Sequence, residues 1–102
     1  MLANIRGHSI PEATDALLSL TYGDPDRAYI EHVLLTTIAD SNIDVQVRSL
    51  AVTCLGHLAR IYGEINTQAV LPVLRELKQS AAFGGLAQDV IEDIEIYVLR
   101  SK

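Results

Sequence analysis

The chain contains only one cysteine, Cys54, so no disulfide can form within it. A disulfide-stapled fold and a paired-cysteine zinc motif both need at least two cysteines, and both are therefore excluded for this chain. Cys54 lies among leucines and alanines, where a free thiol commonly serves as a small core residue. We therefore expect a protein of a reducing compartment, the cytoplasm.

Long apolar runs are also missing. A membrane-spanning helix needs roughly 18 to 20 consecutive apolar residues. The first part of the chain is interrupted by polar residues and a proline: Arg6, His8, Pro11, Glu12 and Asp15. We therefore expect neither a signal peptide nor a membrane anchor.

Positive charge is scarce, because eight Lys and Arg residues stand against thirteen Asp and Glu residues, a formal net charge of -5. Recognition of phosphates needs a clustered positive surface, so we expect no nucleic-acid binding. An acidic protein attracts basic partners instead. The sequence also lacks a glycine-rich phosphate loop and a Ser-His-Asp set, so we predict a protein without catalytic activity, cofactor or metal.

The chain does contain a series of amphipathic segments typical of helices. Its 102 residues, 49% of them apolar, are enough for one hydrophobic core, and we predict a single domain over residues 1–102. Apolar residues at three- and four-residue spacing predict five helices. Their predicted ranges are residues 10–22, 25–39, 43–62, 67–80 and 86–100.

Short polar or glycine-containing segments separate the predicted helices. N-caps are predicted where a side-chain oxygen precedes an apolar segment, at Ser9, Asp24 and Asn66. Glycines are predicted to end or separate helices, with Gly23 in a left-handed C-terminal position, Gly63 closing the third helix, and Gly84-Gly85 preceding the fifth.

The third predicted helix carries the strongest apolar pattern. Its inward positions are Val47, Ala51, Cys54, Leu55, Leu58 and Tyr62. Further apolar residues flank this stripe, so we expect the helix to pack on more than one side, to be the most buried helix and to lie at the centre of the fold. Gly56 costs about 1 kcal/mol relative to alanine inside a helix, so we expect it to allow the close approach of another helix. We expect His57 to form a bond between helices.

No turn dipeptide joins two alternating segments, so the sequence predicts an all-α fold. Short connections between helices of this length favour antiparallel neighbours, as in stacked helical hairpins. Tyr22-Gly23 recurs as Tyr62-Gly63 about 40 residues later, which lies close to the period of HEAT and armadillo repeats.

Several segments resemble HEAT repeats. Asp44-Val45-Gln46-Val47-Arg48, with Leu50-Ala51 and Leu55-Gly56 after it, is similar to the aspartate, valine-arginine, alanine and leucine-glycine pattern of a HEAT helix. Leu71-Pro72-Val73-Leu74 and Asp89-Val90-Ile91-Glu92-Asp93-Ile94 extend the likeness to small bacterial HEAT-like proteins. The resemblance covers roughly residues 24–99 and implies a HEAT/armadillo-like stack of antiparallel hairpins. It also implies that Asp44 and Arg48 are structural residues that bond along the stack.

Two groups of side chains invite a chemical interpretation. Cys54 and His57 are three residues apart on one helix and could form a thiolate-imidazole nucleophile, but their leucine-rich surroundings favour two core residues. Asp89, Glu92, Asp93 and Glu95 place four carboxylates within seven residues. A single helix offers no cage for a hard cation, so the open interpretations are a solvated helix face or a contact for a basic partner.

Some bacterial HEAT-like proteins of this length are immunity proteins that neutralise a toxin domain in contact-dependent growth inhibition. The resemblance and the charge together lead to the hypothesis of a monomeric immunity protein that binds a basic, nuclease-type toxin domain. The candidate contacts are Glu31, Asp40, Asp89, Glu92, Asp93 and Glu95. The alternatives are a HEAT scaffold or regulatory protein, or an enzyme accessory subunit, that docks a helix of another cytosolic protein.

Overall fold

Five α-helices follow one another in the computed structural model, which describes residues 10–100. They are α1 (Ile10–Gly23), α2 (Arg27–Ala39), α3 (Val45–Tyr62), α4 (Thr67–Leu77) and α5 (Gly84–Ile94), and a π-helical turn, Glu95–Leu99, continues α5. Those residues contain no strand. The predicted all-α fold of about five helices is confirmed. The predicted cap at Ser9 lies outside the described residues.

The N-caps of α2, α3 and α4 are polar residues, and the cap of α2 differs from the prediction. Asn66 caps α4 as expected, because its Oδ1 accepts the N–H of Ala69 at 3.3 Å. The cap of α2 is Asp26 and not Asp24, since Asp26 Oδ1 accepts the N–H of Tyr29 at 3.2 Å. Asp24 Oδ1 instead accepts the N–H of Asp26 at 2.8 Å and closes the turn before the helix. The predicted start of α2 was therefore two residues too early.

Gly63 and Gly23 end their helices in different ways. Gly63 closes α3 as predicted, and it does so in the left-handed conformation, with a φ of 62° and its N–H donating to the carbonyl of Ala59 at 2.9 Å. Gly23 is the last residue of α1, and among the described residues Gly63 alone has a positive φ. The prediction for Gly23 was wrong because the N–H of Asp24 still bonds the carbonyl of Leu20, so helical bonding continues past the glycine.

The break between α4 and α5 lies earlier than predicted. α4 ends at Leu77, and α5 already begins at Gly84, so the two glycines start a helix and do not separate two helices. A Cβ at Gly84 would lie 2.9 Å from the carbonyl oxygen of Lys78, a backbone atom that has little freedom to move. Glycine is therefore needed at this position for a close approach of two backbone segments.

The helices pack as two layers around α3. α3 contacts α1, α2 and α5, and α4 contacts α5, so the odd-numbered helices form one layer and α2 and α4 form the other. The smallest dimension of the Cα trace is 18 Å, which fits two layers whose axes are about 8 to 10 Å apart. α3 therefore occupies the central position that its apolar pattern predicted.

The core contains five of the six residues that the third helix was predicted to bury, and the exception is Tyr62, which is 39% exposed. Cys54, Leu55 and Leu58 have no exposed surface. The prediction that α3 is the most buried helix was wrong, because α2 buries a similar fraction of its residues. What distinguishes α3 is that it contacts three other helices. The apolar spacing of the last predicted helix turns both Tyr97 and Val98 inward. Val98, on the π-helical turn, is buried as predicted, whereas Tyr97 is 43% exposed.

We predict that Leu55→Ala lowers the free energy of unfolding by about 2 to 5 kcal/mol, because it empties a fully buried aliphatic site. Urea unfolding followed by circular dichroism measures this loss. Val45→Ala is the matched control, because Val45 begins the same helix and is 47% exposed. A loss below about 1 kcal/mol for Leu55→Ala would contradict the central placement of α3.

Candidate binding surface

Three predicted contact residues form an exposed acidic surface on α5 and the start of the π-helical turn. Asp89, Glu92 and Glu95 are all exposed. At 100° per residue they lie within about a third of the helix circumference. The side chain of Gln88 donates to Glu92 Oε1 at 3.1 Å. We call these three carboxylates the acidic face.

Asp93 belongs to the same helix but points towards α3. Its Oδ2 accepts a hydrogen bond from Nη2 of Arg60 at 2.8 Å, in a pair that joins α5 to α3. The hydrogen bond and the charge of Asp93 raise the pKa of Arg60 above its ordinary value. The side chain of Asp93 is only 20% exposed, so its first role is to hold two helices together.

Gly56 makes this contact between α3 and α5 possible, as the sequence predicted. A Cβ at Gly56 would lie 3.0 Å from Asp93 Oδ2 and 3.4 Å from Cγ2 of Val90. Any larger side chain would therefore push α5 away from α3 or displace the carboxylate of Asp93.

Glu31 is not an exposed contact residue, contrary to the expectation from the sequence. It is 4% exposed, forms an ion pair with Arg27 one turn earlier, and its Oε1 accepts the N–H of Asn66 at 3.0 Å. A buried carboxylate needs such partners to offset the loss of water. The spacing of Arg27 and Glu31 was a signal for the ion pair, but no local signal connected Glu31 with Asn66, which is 35 residues away.

Asp40 lies at the C-terminal end of α2 and is half-buried. Its Oδ1 accepts the N–H of Asn42 at 2.9 Å and closes the turn that leads to α3. Asp40 therefore does not belong to the acidic face, and its Oδ1 is hydrogen-bonded to a backbone N–H.

The two residues that the repeat resemblance assigned to structure behave differently. Arg48 joins helices, because its Nε donates to the carbonyl of Ile38 at 2.9 Å and its guanidinium carbon lies 5.1 Å from the centre of the Phe83 ring. Asp44 caps its own helix, since its Oδ1 accepts the N–H of Gln46 at 2.8 Å. Arg48 therefore connects three parts of the chain, whereas Asp44 acts locally.

Cys54 and His57 occupy different environments. Cys54 is fully buried, and burial raises the pKa of its thiol above the ordinary value of 9.0, against a smaller lowering by the hydrogen-bonding side chain of Thr21. A protonated buried thiol is a poor nucleophile. His57 contacts α1 through its ring, which lies 5.7 Å from that of Tyr22. The expected link between helices is present, as a ring contact.

Exposed tyrosines were the feature that sequence reasoning missed. Tyr22, Tyr62 and Tyr97 were assigned to helix ends or to the core, but they are 61%, 39% and 43% exposed. Periodicity alone cannot show this, because a helix end leaves the last apolar residues without a neighbouring helix to cover them. The recurrence of Tyr22-Gly23 as Tyr62-Gly63 was a signal for two of them, and Tyr97 had no such signal.

Within residues 10–100, no helix is both long and apolar enough to span a membrane. The same part of the chain holds no group of three or more His, Cys, Asp or Glu residues arranged to bind a metal ion. No protein-family model matches the sequence, and comparisons with curated proteins and with solved structures give no match either.

We predict that Arg48→Ala lowers the free energy of unfolding by about 1 to 3 kcal/mol, because a charge-assisted hydrogen bond and a cation–π contact are lost together. Thermal and urea unfolding measure the change. Arg75→Ala is the control, since Arg75 is exposed on α4 and its removal should cost less than about 0.5 kcal/mol. Equal effects of the two substitutions would mean that Arg48 does not join the helices.

We predict that Cys54 reacts slowly with Ellman's reagent in the native protein and rapidly in urea. The unfolded thiol titrates near its ordinary pKa of 9.0, below the folded value, so the unfolded chain loses its proton first. The free energy of unfolding should therefore fall as the pH rises past 9.0, and Cys54→Ala should remove this part of the fall. Rapid labelling of the native protein would show that the thiol is accessible.

Proposed function

We propose that this protein is a non-catalytic binding module whose acidic face receives a basic domain of another protein. The exposed and clustered positions of Asp89, Glu92 and Glu95 are the observation that carries the proposal. The buried or paired carboxylates of Glu31 and Asp93 already have partners within the chain, whereas the acidic face points to solvent.

The charge of the whole molecule supports the same partner. A formal net charge of -5 attracts a cationic protein over distances longer than a direct contact. Three arginines already interact with groups of this chain: Arg27 and Arg60 form ion pairs with carboxylates, and Arg48 donates to a backbone carbonyl. Arg100 lines a pocket together with Glu92 and Glu95, so one cation lies beside the three carboxylates and the acidic face keeps a net negative charge. Rim charges of this kind increase the association rate.

The resemblance to immunity proteins narrows the proposal. The partner is then a nuclease-type toxin domain, which has a basic surface because its substrate is a polyanion. Neutralisation would proceed by covering the substrate path of the nuclease. An adjacent reading frame that ends in a basic nuclease domain is the expected gene arrangement, and an adjacent cofactor-dependent enzyme would favour an accessory subunit.

A groove between α2 and α4 favours a second candidate, a scaffold that docks an amphipathic helix. Two pockets of about 260 and 280 Å³ open along this groove. The apolar lining of the first pocket consists of Ala28, Leu35 and Ala69. That of the second consists of Ile38, Ala39, Val73 and Leu77. Binding in this groove would depend little on salt, because it would bury apolar surface.

We predict that Asp89→Asn, Glu92→Gln and Glu95→Gln together slow association with the basic domain encoded next to this protein by about tenfold at low salt. The difference should shrink at high salt, because screening sets in within about 10 Å at 0.1 M. Stopped-flow or surface-plasmon-resonance kinetics measure the rate. Asp93 stays unchanged in this variant, so the contact between α3 and α5 is preserved.

The matched control removes three exposed acidic charges elsewhere, by Glu12→Gln, Asp15→Asn and Glu76→Gln. Both variants lose three negative charges, so an effect of net charge alone would slow association equally in the two variants. A slower rate for the acidic-face variant alone supports the proposal. An unchanged rate for the acidic-face variant, with salt-independent binding, would favour the groove between α2 and α4, which Glu76 of the control variant lines.

A further inference from the structure

The exposed tyrosines lie at one end of the layer formed by α1, α3 and α5. Tyr22 contacts His57 of α3, and the hydroxyl of Tyr62 donates to the carbonyl of Asp24 at 3.4 Å. A Cβ at Gly63 would lie 3.6 Å from the carbonyl oxygen of Tyr97. The C-terminal ends of α1 and α3 and the π-helical turn therefore meet. We call Tyr22, Ile61, Tyr62 and Tyr97 the tyrosine edge.

This edge exposes more aromatic and aliphatic surface than a helix end requires. Tyr22 and Ile61 are 61% and 50% exposed, and Tyr97 is 43% exposed. Contiguous exposed apolar surface on a small protein usually marks a contact with another molecule. Tyrosine is also among the residues that contribute most to binding energy in protein interfaces.

Acidic residues lie next to the tyrosine edge in the sequence and favour a positively charged partner. Asp24 and Asp26 lie in the turn after α1, and Glu64 follows Gly63 directly. Arg60, the cation of this end of α3, is already paired with Asp93. Aromatic faces surrounded by carboxylates are complementary to arginine and lysine side chains, which stack on a tyrosine ring while they pair with an acid.

We infer that the tyrosine edge docks arginine or lysine side chains of the protein partner, which it holds between tyrosine rings and the carboxylates of the adjoining turns. This inference rests on the proposed function, because the same basic partner would contact the acidic face and the edge. Glu95 of the acidic face and Tyr97 of the tyrosine edge are two residues apart on the π-helical turn, so one partner can contact both surfaces. The acidic face accelerates the encounter, and the edge supplies the short-range contacts that keep the partner bound.

The test uses the whole ¹⁵N-labelled protein and a defined probe, the capped peptide Gly-Arg-Gly-Arg-Gly, with its citrulline counterpart as the neutral comparison. NMR titration should show shifts at Tyr22, Tyr62 and Tyr97 with the arginine peptide and none with citrulline. Tyr22→Leu should weaken binding about threefold, whereas Tyr22→Phe should retain it, because the phenylalanine ring keeps the π face. Val45→Ala, at the other end of α3, should change nothing.

The high exposure of Tyr22 means that these variants should fold, which the dispersion of their amide spectra verifies. Shifts confined to the region of Asp89, Glu92 and Glu95, equal in the Leu and Phe variants, would overturn the tyrosine edge and leave the acidic face intact. Shifts at the edge that persist in the Asp89→Asn, Glu92→Gln, Glu95→Gln variant would support the edge as a site that binds arginine by itself, while the association rates with the basic domain test the acidic face separately. Sedimentation that shows a dimer dissociated by Tyr22→Leu would assign the edge to self-association and overturn the inference.

Discussion

The packing of α3 against three helices is the constraint on which the rest of the structure depends. A central helix must present apolar or small residues to every neighbour, and α3 does so with eight buried residues among its eighteen. Gly56 sets the distance to α5, because the backbone there leaves room for Val90 and the carboxylate of Asp93. The position of α5, and with it the direction of the acidic face, follows from that one small residue.

Local sequence signals predicted the helices well and the roles of individual charges poorly. The apolar period of α3, the Asn66 cap and the end of α3 at Gly63 could be read from neighbouring residues, since each depends on contacts within one helix or turn. The burial of Glu31 depends on a residue 35 positions away, which no local pattern contains. Tyr97 was misassigned because Tyr97 and Val98 both follow Ile94 at helical spacing, and only the tertiary packing decides that Val98 is the one that is covered.

The structure also sorts carboxylates that looked equivalent in the sequence. Asp89 and Asp93 are four residues apart on α5, yet one is exposed and the other is paired with Arg60. The difference comes from α3, which lies against one side of α5 and leaves the other side to solvent. A run of acidic residues can therefore stabilise the fold through one member and offer a charged surface through the others. Exposed tyrosines at the neighbouring helix ends add aromatic surface to the negatively charged surface.

The hydrogen bond between Glu31 and the N–H of Asn66 limits how this fold can be enlarged. In a stack whose hairpins contact one another only through apolar side chains, a new hairpin can be inserted at any junction. Here a buried carboxylate of α2 accepts the backbone donor that opens α4, so the two hairpins are joined by a polar bond specific to that junction. An insertion between Tyr62 and Asn66 would separate the two groups and leave the Glu31 carboxylate with only Arg27. An added hairpin at this junction would therefore break a polar contact that an addition before α1 or after the π-helical turn would leave intact.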